Sequence, residues 1–420
     1  MPLGVPLKCL EDFIKREYRT RVMKEYGGRK KMALLLKKYD FFILGGAGMQ
    51  GRIVAKDLLE SGYSVAIADI DRIRAQRMVK KSRDIGFLYL DIRDIDLTIA
   101  AIQRSGARVV INCAEGNWNL DVYRACLRAG VHCIDLGSEI EMTEAQLALD
   151  EEFKKKGLTA ITGCGSVPGI GNVMLRYAAR KFDTLKTIEV GFAWQSNIKR
   201  FVVPFSIESI IEEFTKPAPV IEDGKWGVRI PLKTVTMRNH RSIGRERVLI
   251  VRHPETYTFY HYYKDQGVKN VRFYAGFPPH SEEKIRSLIE LGFGSAKPIK
   301  INGHGFEISP LDFTTEVLRR LKIPKGYREK ENLWVVLIGK KNGHEKTIIM
   351  NCIVPTIKNW EDAGCNIDTG MPASIIAQMI WDKKIRKRGS FAPEAVVPEK
   401  YFFKELKKRK MKLFENDKRL

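Results

Sequence analysis

The stretch FFILGGAGMQGRIVAKDLLESGYSVAIAD, from Phe41 to Asp69, decides the fold. Phe41 to Leu44 is wholly apolar, as a strand buried on both faces should be. Gly46-Ala47-Gly48-Met49-Gln50-Gly51 follows at once, and Ile53, Val54, Leu58 and Leu59 then recur at helical spacing until Gly62. A second apolar strand, Val65 to Ala68, stops at Asp69. The three glycines of the turn act differently. Gly46 permits a tight turn, Gly48 lets backbone approach a pyrophosphate, and Gly51 lets helix and strand pack closely. The helix start, at Met49 and Gln50, offers free N–H groups and a partial positive charge to phosphate. Asp69 lies about 20 positions beyond Gly48, where a carboxylate accepts hydrogen bonds from an adenosine ribose. The unit therefore predicts a nicotinamide dinucleotide site. Asp69 favours NAD; Arg72 and Arg74 would serve the 2′-phosphate of NADP instead.

The alternation continues downstream. Phe87 to Leu90 reads as a strand ending at Asp91, Leu97 to Ile102 as a helix, and Val109 to Ile111 as a strand leading to Asn112-Cys113-Ala114. Leu120 to Ala129 is a helix, Val131 to Ile134 a strand ending at Asp135, and Leu158 to Ile161 one more strand. Strands alternating with helices predict an α/β fold with a parallel, doubly wound Rossmann sheet. Ligands gather beyond the strand C-termini of such sheets, which puts Asp69, Asp91, Cys113, Ala114 and Asp135 on one rim. For Asp91 and Asp135, helix capping is the competing role.

At 420 residues the chain exceeds one ordinary core, and 44% apolar with 29% charged residues describes a globular protein. No apolar run approaches the roughly 18 residues of a membrane span, so a cytoplasmic protein without a membrane partner is expected. Seven cysteines form no CxxC pair, which speaks for a reducing compartment and no structural metal. Cys164, set among glycines, is the one cysteine to weigh as a nucleophile. The net charge of +23 is concentrated at the ends, in Arg29-Lys30-Lys31, Lys383 to Arg388 and Lys407 to Lys410. No finger or helix-turn-helix pattern accompanies these runs, so solvated helix faces are expected and no specific nucleic-acid partner.

Five stretches carry a resemblance: Gly45 to Gly51, INCAEGNWNLDVYRACLRAGVHCIDLGSE (Ile111 to Glu139), GCGSVPGIGN (Gly163 to Asn172), Phe205 to Trp226, and Thr369 to Arg409. In this order they resemble the saccharopine dehydrogenase family from about residue 40 to the end. The resemblance implies a discontinuous Rossmann domain of 40–165 and 360–405, a second mixed α/β substrate and dimerisation domain of 166–359, a basic extension of 1–38, and a homodimer. Strands are expected at Thr187 to Trp194 and Leu333 to Ile338. It makes Pro168 and Asn172 neighbours of the nicotinamide.

The implied chemistry is hydride transfer between a nicotinamide and a carbon bearing nitrogen, with an amino-acid substrate. The nearest activity in look is that of lysine 6-dehydrogenase, which oxidises the side-chain amine. The alternative is imine reduction of the saccharopine or carboxynorspermidine type, and a third reading is a non-catalytic dinucleotide-binding regulator. An alkyl ammonium with pKa near ~10.4 must lose its proton before it reacts, which calls for a base. Glu115, after the Asn112-Cys113-Ala114 strand end, and His253, before Pro254 and Glu255, are the catalytic candidates. Arg252 and Arg272 could grip a substrate carboxylate bidentately, with Tyr274 beside Arg272. Phe273 to Phe277 (FYAGF) is similar to a family stretch ending in glycine–histidine, but Phe277 stands in the histidine's place.

Overall fold

The computed structural model describes residues 38–80, 82–203, 205–303 and 305–420. The basic extension, with the amphipathic helix expected between Cys9 and Tyr26, lies outside them. Two compact units divide the chain. One runs through Gly165 and takes back Thr369–Pro398; the other comprises Ser166–Asp368 and Glu399–Leu420. Beside the expected ranges of 40–165 and 360–405, the first unit ends at Gly165 and its returning segment at Pro398. The later end has a reason local to the second unit. Glu399 opens the helix Glu399–Lys408 and is gripped there by Arg180 at 2.7 Å and Arg176 at 3.6 Å, and β18 (Lys412–Glu415) pairs with β16 (His344–Pro355).

In the first unit the seven strands β1 (Phe41–Leu44), β2 (Val65–Asp69), β3 (Ile85–Tyr89), β4 (Val109–Asn112), β5 (His132–Asp135), β6 (Thr159–Ile161) and β17 (Gly389–Phe391) form one parallel sheet. Their order is β17-β6-β5-β4-β1-β2-β3, so the switch between β1 and β4 opens a crevice at the strand ends. Apolar runs explain the central strands: every residue of β1 and β4 is buried. The late segment completes this unit. Trp381 packs on Phe41 with ring centroids 5.5 Å apart, and Ser374 donates to Asp57 of the helix Met49–Glu60 at 2.5 Å.

The second unit is a mixed ten-stranded sheet with the path β10 (Thr236–His240), β11 (Gly244–Ile250), β12 (Asn270–Gly276), β7 (Thr184–Ser196), β15 (Glu329–Lys341), β16, β18 and β19 (Lys418–Arg419). A side branch of β8 (Ala218–Glu222) and β9 (Lys225–Arg229) joins through β12. Only β12 and β7 run parallel; the other pairings are antiparallel. β13 (Ile299–Lys300) and β14 (Glu307–Ile308) make a separate ribbon. The expected strands at Thr187 and Leu333 are the centres of β7 and β15, each 13 residues long. No helix among the described residues is long and apolar enough to cross a membrane.

His132 opens β5, an interior strand of the first sheet. Its Nδ1 accepts the Thr159 N–H at 2.9 Å, so the ring must be neutral there. Burial, reinforced by Arg388 and Arg108, pushes its pKa down to about 4 from an ordinary 6.5. An unfolded chain thus binds a proton in this window that the folded chain refuses, and stability is lost as pH falls from about 6.5 to about 4. Melting temperature measured across that window should decline, and His132→Gln should flatten the decline, leaving the part contributed by His240, which is depressed in the same way.

Candidate active site

The glycine loop is shaped by backbone contacts rather than by side chains. Gly45 adopts φ +68°, and a Cβ there would lie 2.7 Å from the Ala114 nitrogen. The turn residue is therefore Gly45, one position before the expected Gly46, whose own limit is the Ile67 side chain of β2 at 2.5 Å. A Cβ on Gly51 would meet the Gly45 carbonyl oxygen at 2.2 Å, which fixes how closely helix and strand approach. Gly48 differs. Its Cβ position meets only the Gly45 oxygen, at 3.1 Å, so its outer side is open to a ligand. The helix Met49–Glu60 starts at Gly48 with no side-chain cap and no acid in its first turn. Its leading N–H groups suit a pyrophosphate, with Met49 partly exposed and Gln50 next to it.

Asp69 closes this loop from below. One carboxylate oxygen accepts the Ala47 N–H at 2.8 Å, the other the Asp71 N–H at 2.8 Å. Each oxygen keeps a further lone pair for a ribose hydroxyl. Arg72 lies over the Tyr89 ring at 4.1 Å, and Arg74 is drawn to Asp71 at 3.2 Å. At the end of β3, Asp91 accepts from both the backbone and the guanidinium of Arg93, which holds its carboxyl below the usual range. Asp91 is thus neither a helix cap nor an open acceptor; Asp94 caps the helix Ile95–Ser105. Glu115 stands exposed at the end of β4, at the start of the turn Gly116–Trp118. Cys113 and Ala114 lead into it, the Cys113 N–H bonding the Leu44 carbonyl at 2.9 Å, and burial pushes the Cys113 thiol up.

Asp135 departs from the expectation of a rim residue. It is fully buried, and its carboxylate collects Tyr123, Gln146 and the Gly137 N–H, each at 2.6 Å, with the Gly163 N–H at 3.0 Å. Every strong direction around it is used by the protein, so it organises the loops after β5 and β6 instead of meeting cofactor. Cys164, just beyond, is buried with its thiol donating to the Ile161 carbonyl, and burial pushes its pKa up, the opposite of an activated nucleophile.

Pro168 and Asn172 belong to the second unit. Asn172 is 1% exposed, and its side-chain oxygen accepts the Gly169 N–H at 2.7 Å. Its amide oxygen thus caps the helix Ile170–Ala179. In the same unit His253 lies flat on Phe273, ring centroids 3.8 Å apart, and its Nδ1 bonds the fully buried Glu255. The other Glu255 oxygen has no hydrogen-bond partner among the described residues. Arg252 adjoins His253 and is partly exposed.

Arg272 and Tyr274 alternate with Phe273 along β12 and so face the other side of the sheet. Arg272 pairs with Glu222 at 3.0 Å and Glu189 at 3.8 Å, while Tyr274 donates to Glu189 at 3.3 Å. Their side chains are committed to a network with Arg238 and do not join His253. Phe277 is 1% exposed inside a cluster of Phe192, Phe205 and Phe214. An imidazole there would be buried among hydrocarbon, so the aromatic residue fits its place. Glu255 is the hydrogen-bond partner of His253 that sequence reasoning passed over, although its position two residues after His253 was visible.

A Rossmann sheet with an uncapped, phosphate-ready helix start and a carboxylate at the ribose position defines a NAD(P)-dependent oxidoreductase. Comparison with known families agrees over nearly the whole chain. Residues 41–161 match the saccharopine dehydrogenase NADP binding domain and residues 146–411 the saccharopine dehydrogenase C-terminal domain, and the chain belongs to the saccharopine dehydrogenase family. It is 27% identical to the carboxyaminopropylagmatine dehydrogenase of Synechocystis over 86% of this chain and 93% of that protein. It is 22% identical to the carboxynorspermidine synthase of Vibrio cholerae, over 86% and 91%. The fold matches the apo saccharopine dehydrogenase (L-Glu forming) of Saccharomyces cerevisiae with a TM-score of 0.71 at 15% identity, covering 91% of this chain and 100% of that one. These relatives are polyamine-related dehydrogenases and a saccharopine dehydrogenase, not lysine 6-dehydrogenases.

The loop geometry separates two glycine substitutions. Gly51→Ala forces backbone apart and should destabilise by about 1–3 kcal/mol, as overpacking does, with or without cofactor. Gly48→Ala should leave the apo melting temperature nearly unchanged and abolish most of the rise that NAD or NADP produces. Thermal denaturation of both variants with and without dinucleotide checks this.

Proposed function

We propose that this chain is an NAD-dependent imine reductase that joins an amine of the polyamine type to an amino-acid semialdehyde, giving a secondary amine. The observation that carries the reading is the His253–Glu255 pair: an imidazole fixed in plane by Phe273 and held by a buried carboxylate in the substrate unit. The full-length likeness to the carboxyaminopropylagmatine and carboxynorspermidine enzymes supports the substrate class. Phe277, buried among phenylalanines where the lysine 6-dehydrogenase resemblance calls for histidine, weighs against lysine oxidation.

A neutral amine adds to the aldehyde carbonyl, and the resulting carbinolamine loses water to give an iminium. Loss of that hydroxyl needs a proton, which His253 donates from Nε2 while Glu255 at Nδ1 stabilises the imidazolium. The bound nicotinamide supplies the hydride that reduces the iminium carbon. The glycine loop, the helix start at Met49 and Asp69 would hold that cofactor. Asp69 sets the preference, because a 2′-phosphate placed beside its carboxylate would be repelled, and Arg74 is already engaged by Asp71.

NAD should therefore raise the melting temperature more than NADP, by mass action on the folded chain. Asp69→Asn should narrow that gap, and an unchanged gap would remove Asp69 from cofactor choice. Products provide the second check. Reduced cofactor, a short diamine and an amino-acid semialdehyde should yield a secondary amine by mass spectrometry; ammonia released from lysine with NAD would restore the lysine-oxidising reading. His253→Gln should lower kcat by about 10²–10⁴-fold with KM changed little, as expected for loss of a general acid. Unaltered kcat would place the proton elsewhere.

A further inference from the structure

The helix Pro310–Leu318 of the second unit has two apolar faces. Leu311, Thr314, Thr315 and Leu318 are spaced as the inward stripe of a surface helix, and the two threonines are 4% and 2% exposed. On that side the helix packs against Ile207–Thr215, where Arg319 reaches Glu208 at 3.3 Å. Phe313 and Val317 lie on the other side, 50% and 47% exposed. Leu321 continues their row, held in a further turn by its N–H donating to the Leu318 carbonyl at 3.0 Å. A helix that buries threonines and leaves Phe313 and Val317 in water is the reverse of what a free surface asks for.

The exposed face extends beyond the helix. Leu291 and Phe293 belong to a turn clasped to it by two bonds. Thr314 Oγ1 donates to the Phe293 carbonyl at 3.1 Å, and the Leu311 N–H donates to the Ser295 carbonyl at 3.0 Å. Both side chains are exposed, as is Ile323 just past Leu321. These six residues leave roughly 500–600 Å² of apolar surface in water, at the upper end of what a monomer shows. A standard-size interface buries about 800 Å² per partner, a little over half of it apolar. The face matches that requirement.

We propose that this face is the contact between two copies of the chain, docked about a two-fold axis with the helices Pro310–Leu318 antiparallel. Self-complementarity points to a second copy as the occupant. Asp312, Glu316 and Arg320 form a row at i, i+4 and i+8 beside the row of Phe313, Val317 and Leu321. An axis passing next to Glu316 and Val317 sets Asp312 against Arg320 of the partner subunit, and Phe313 against Leu321 of the partner subunit. Symmetry makes each contact twice. Asp312 and Arg320 are exposed, and neither has an ion-pair partner among the described residues. The acidic start and the basic end of one helix thus complement each other only in a reversed copy.

Sedimentation of the full chain from about 0.1 to 50 µM tests this, and the unaltered chain should run at twice the chain mass through the micromolar range. Val317→Arg sets two like charges face to face at the axis and should weaken the dimer by roughly 100-fold or more, with the circular dichroism spectrum unchanged. Asp312→Arg or Arg320→Asp alone should weaken it about tenfold, and the two exchanges together should restore it. A chain that stays monomeric at the highest concentration overturns the proposal; if that monomer floats with phosphatidylglycerol vesicles, the face belongs to a membrane instead. A dimer indifferent to Val317→Arg overturns it too. If Val317→Arg does not fold, the exchanges of Asp312 and Arg320 decide, and failure of the double exchange to restore association is the overturning result.

Discussion

The tightest constraint in the first unit is one of backbone against backbone. Gly45 turns over the Ala114 nitrogen, and Gly51 sits on the Gly45 carbonyl, at separations that leave no room for a single carbon. Everything the dinucleotide would touch is referred to that contact. It sets the height of the helix start above the sheet, and it brings the ends of β1 and β4 together at the crevice. Asp69 then ties the loop to β2 through Ala47, so the carboxylate that would read the ribose also fixes the turn that would hold the phosphates. Cofactor affinity and loop order are coupled through one side chain.

Buried carboxylates act differently in the two units. Asp135 is surrounded by donors from five residues, Tyr123, Gly137, Gln146, Thr162 and Gly163, and its charge is spent on holding the loops after β5 and β6. Burial pushes its pKa up, and the hydrogen bonds from Tyr123, Gly163, Gln146 and Gly137 pull it back only in part. Glu255 has one firm partner, His253, and an oxygen left over. A filled donor set marks a structural acid; an incomplete one marks an acid whose partner comes from elsewhere.

Much of this was legible in the residues. The apolar runs of β1, β2 and β4 and the glycine spacing located the Rossmann sheet. Alternation along β12 was readable too, since period two alone separates Arg272 and Tyr274 from the face that Phe273 shares with His253. Asp135 was harder, because a strand-end aspartate has the same sequence signature whether it faces ligand or accepts from Tyr123 and Gln146. The donors come from remote positions that only the fold assembles. The end of the returning segment at Pro398 was likewise hidden, since it depends on Arg176 and Arg180 meeting Glu399.

β17 adds the last strand beside β6, and Thr159 of β6 donates its hydroxyl to the Lys387 carbonyl. That partner is encoded more than two hundred residues downstream. During synthesis the first sheet must therefore wait, with β6 as a bare edge offering unpaired N–H and C=O groups, while the second sheet as far as β16 emerges from the ribosome. The helix that packs Trp381 on Phe41 and Ser374 on Asp57 arrives in the same late segment. A chain interrupted between β6 and β17 would keep every glycine of its nucleotide loop and still present a sticky, unfinished sheet.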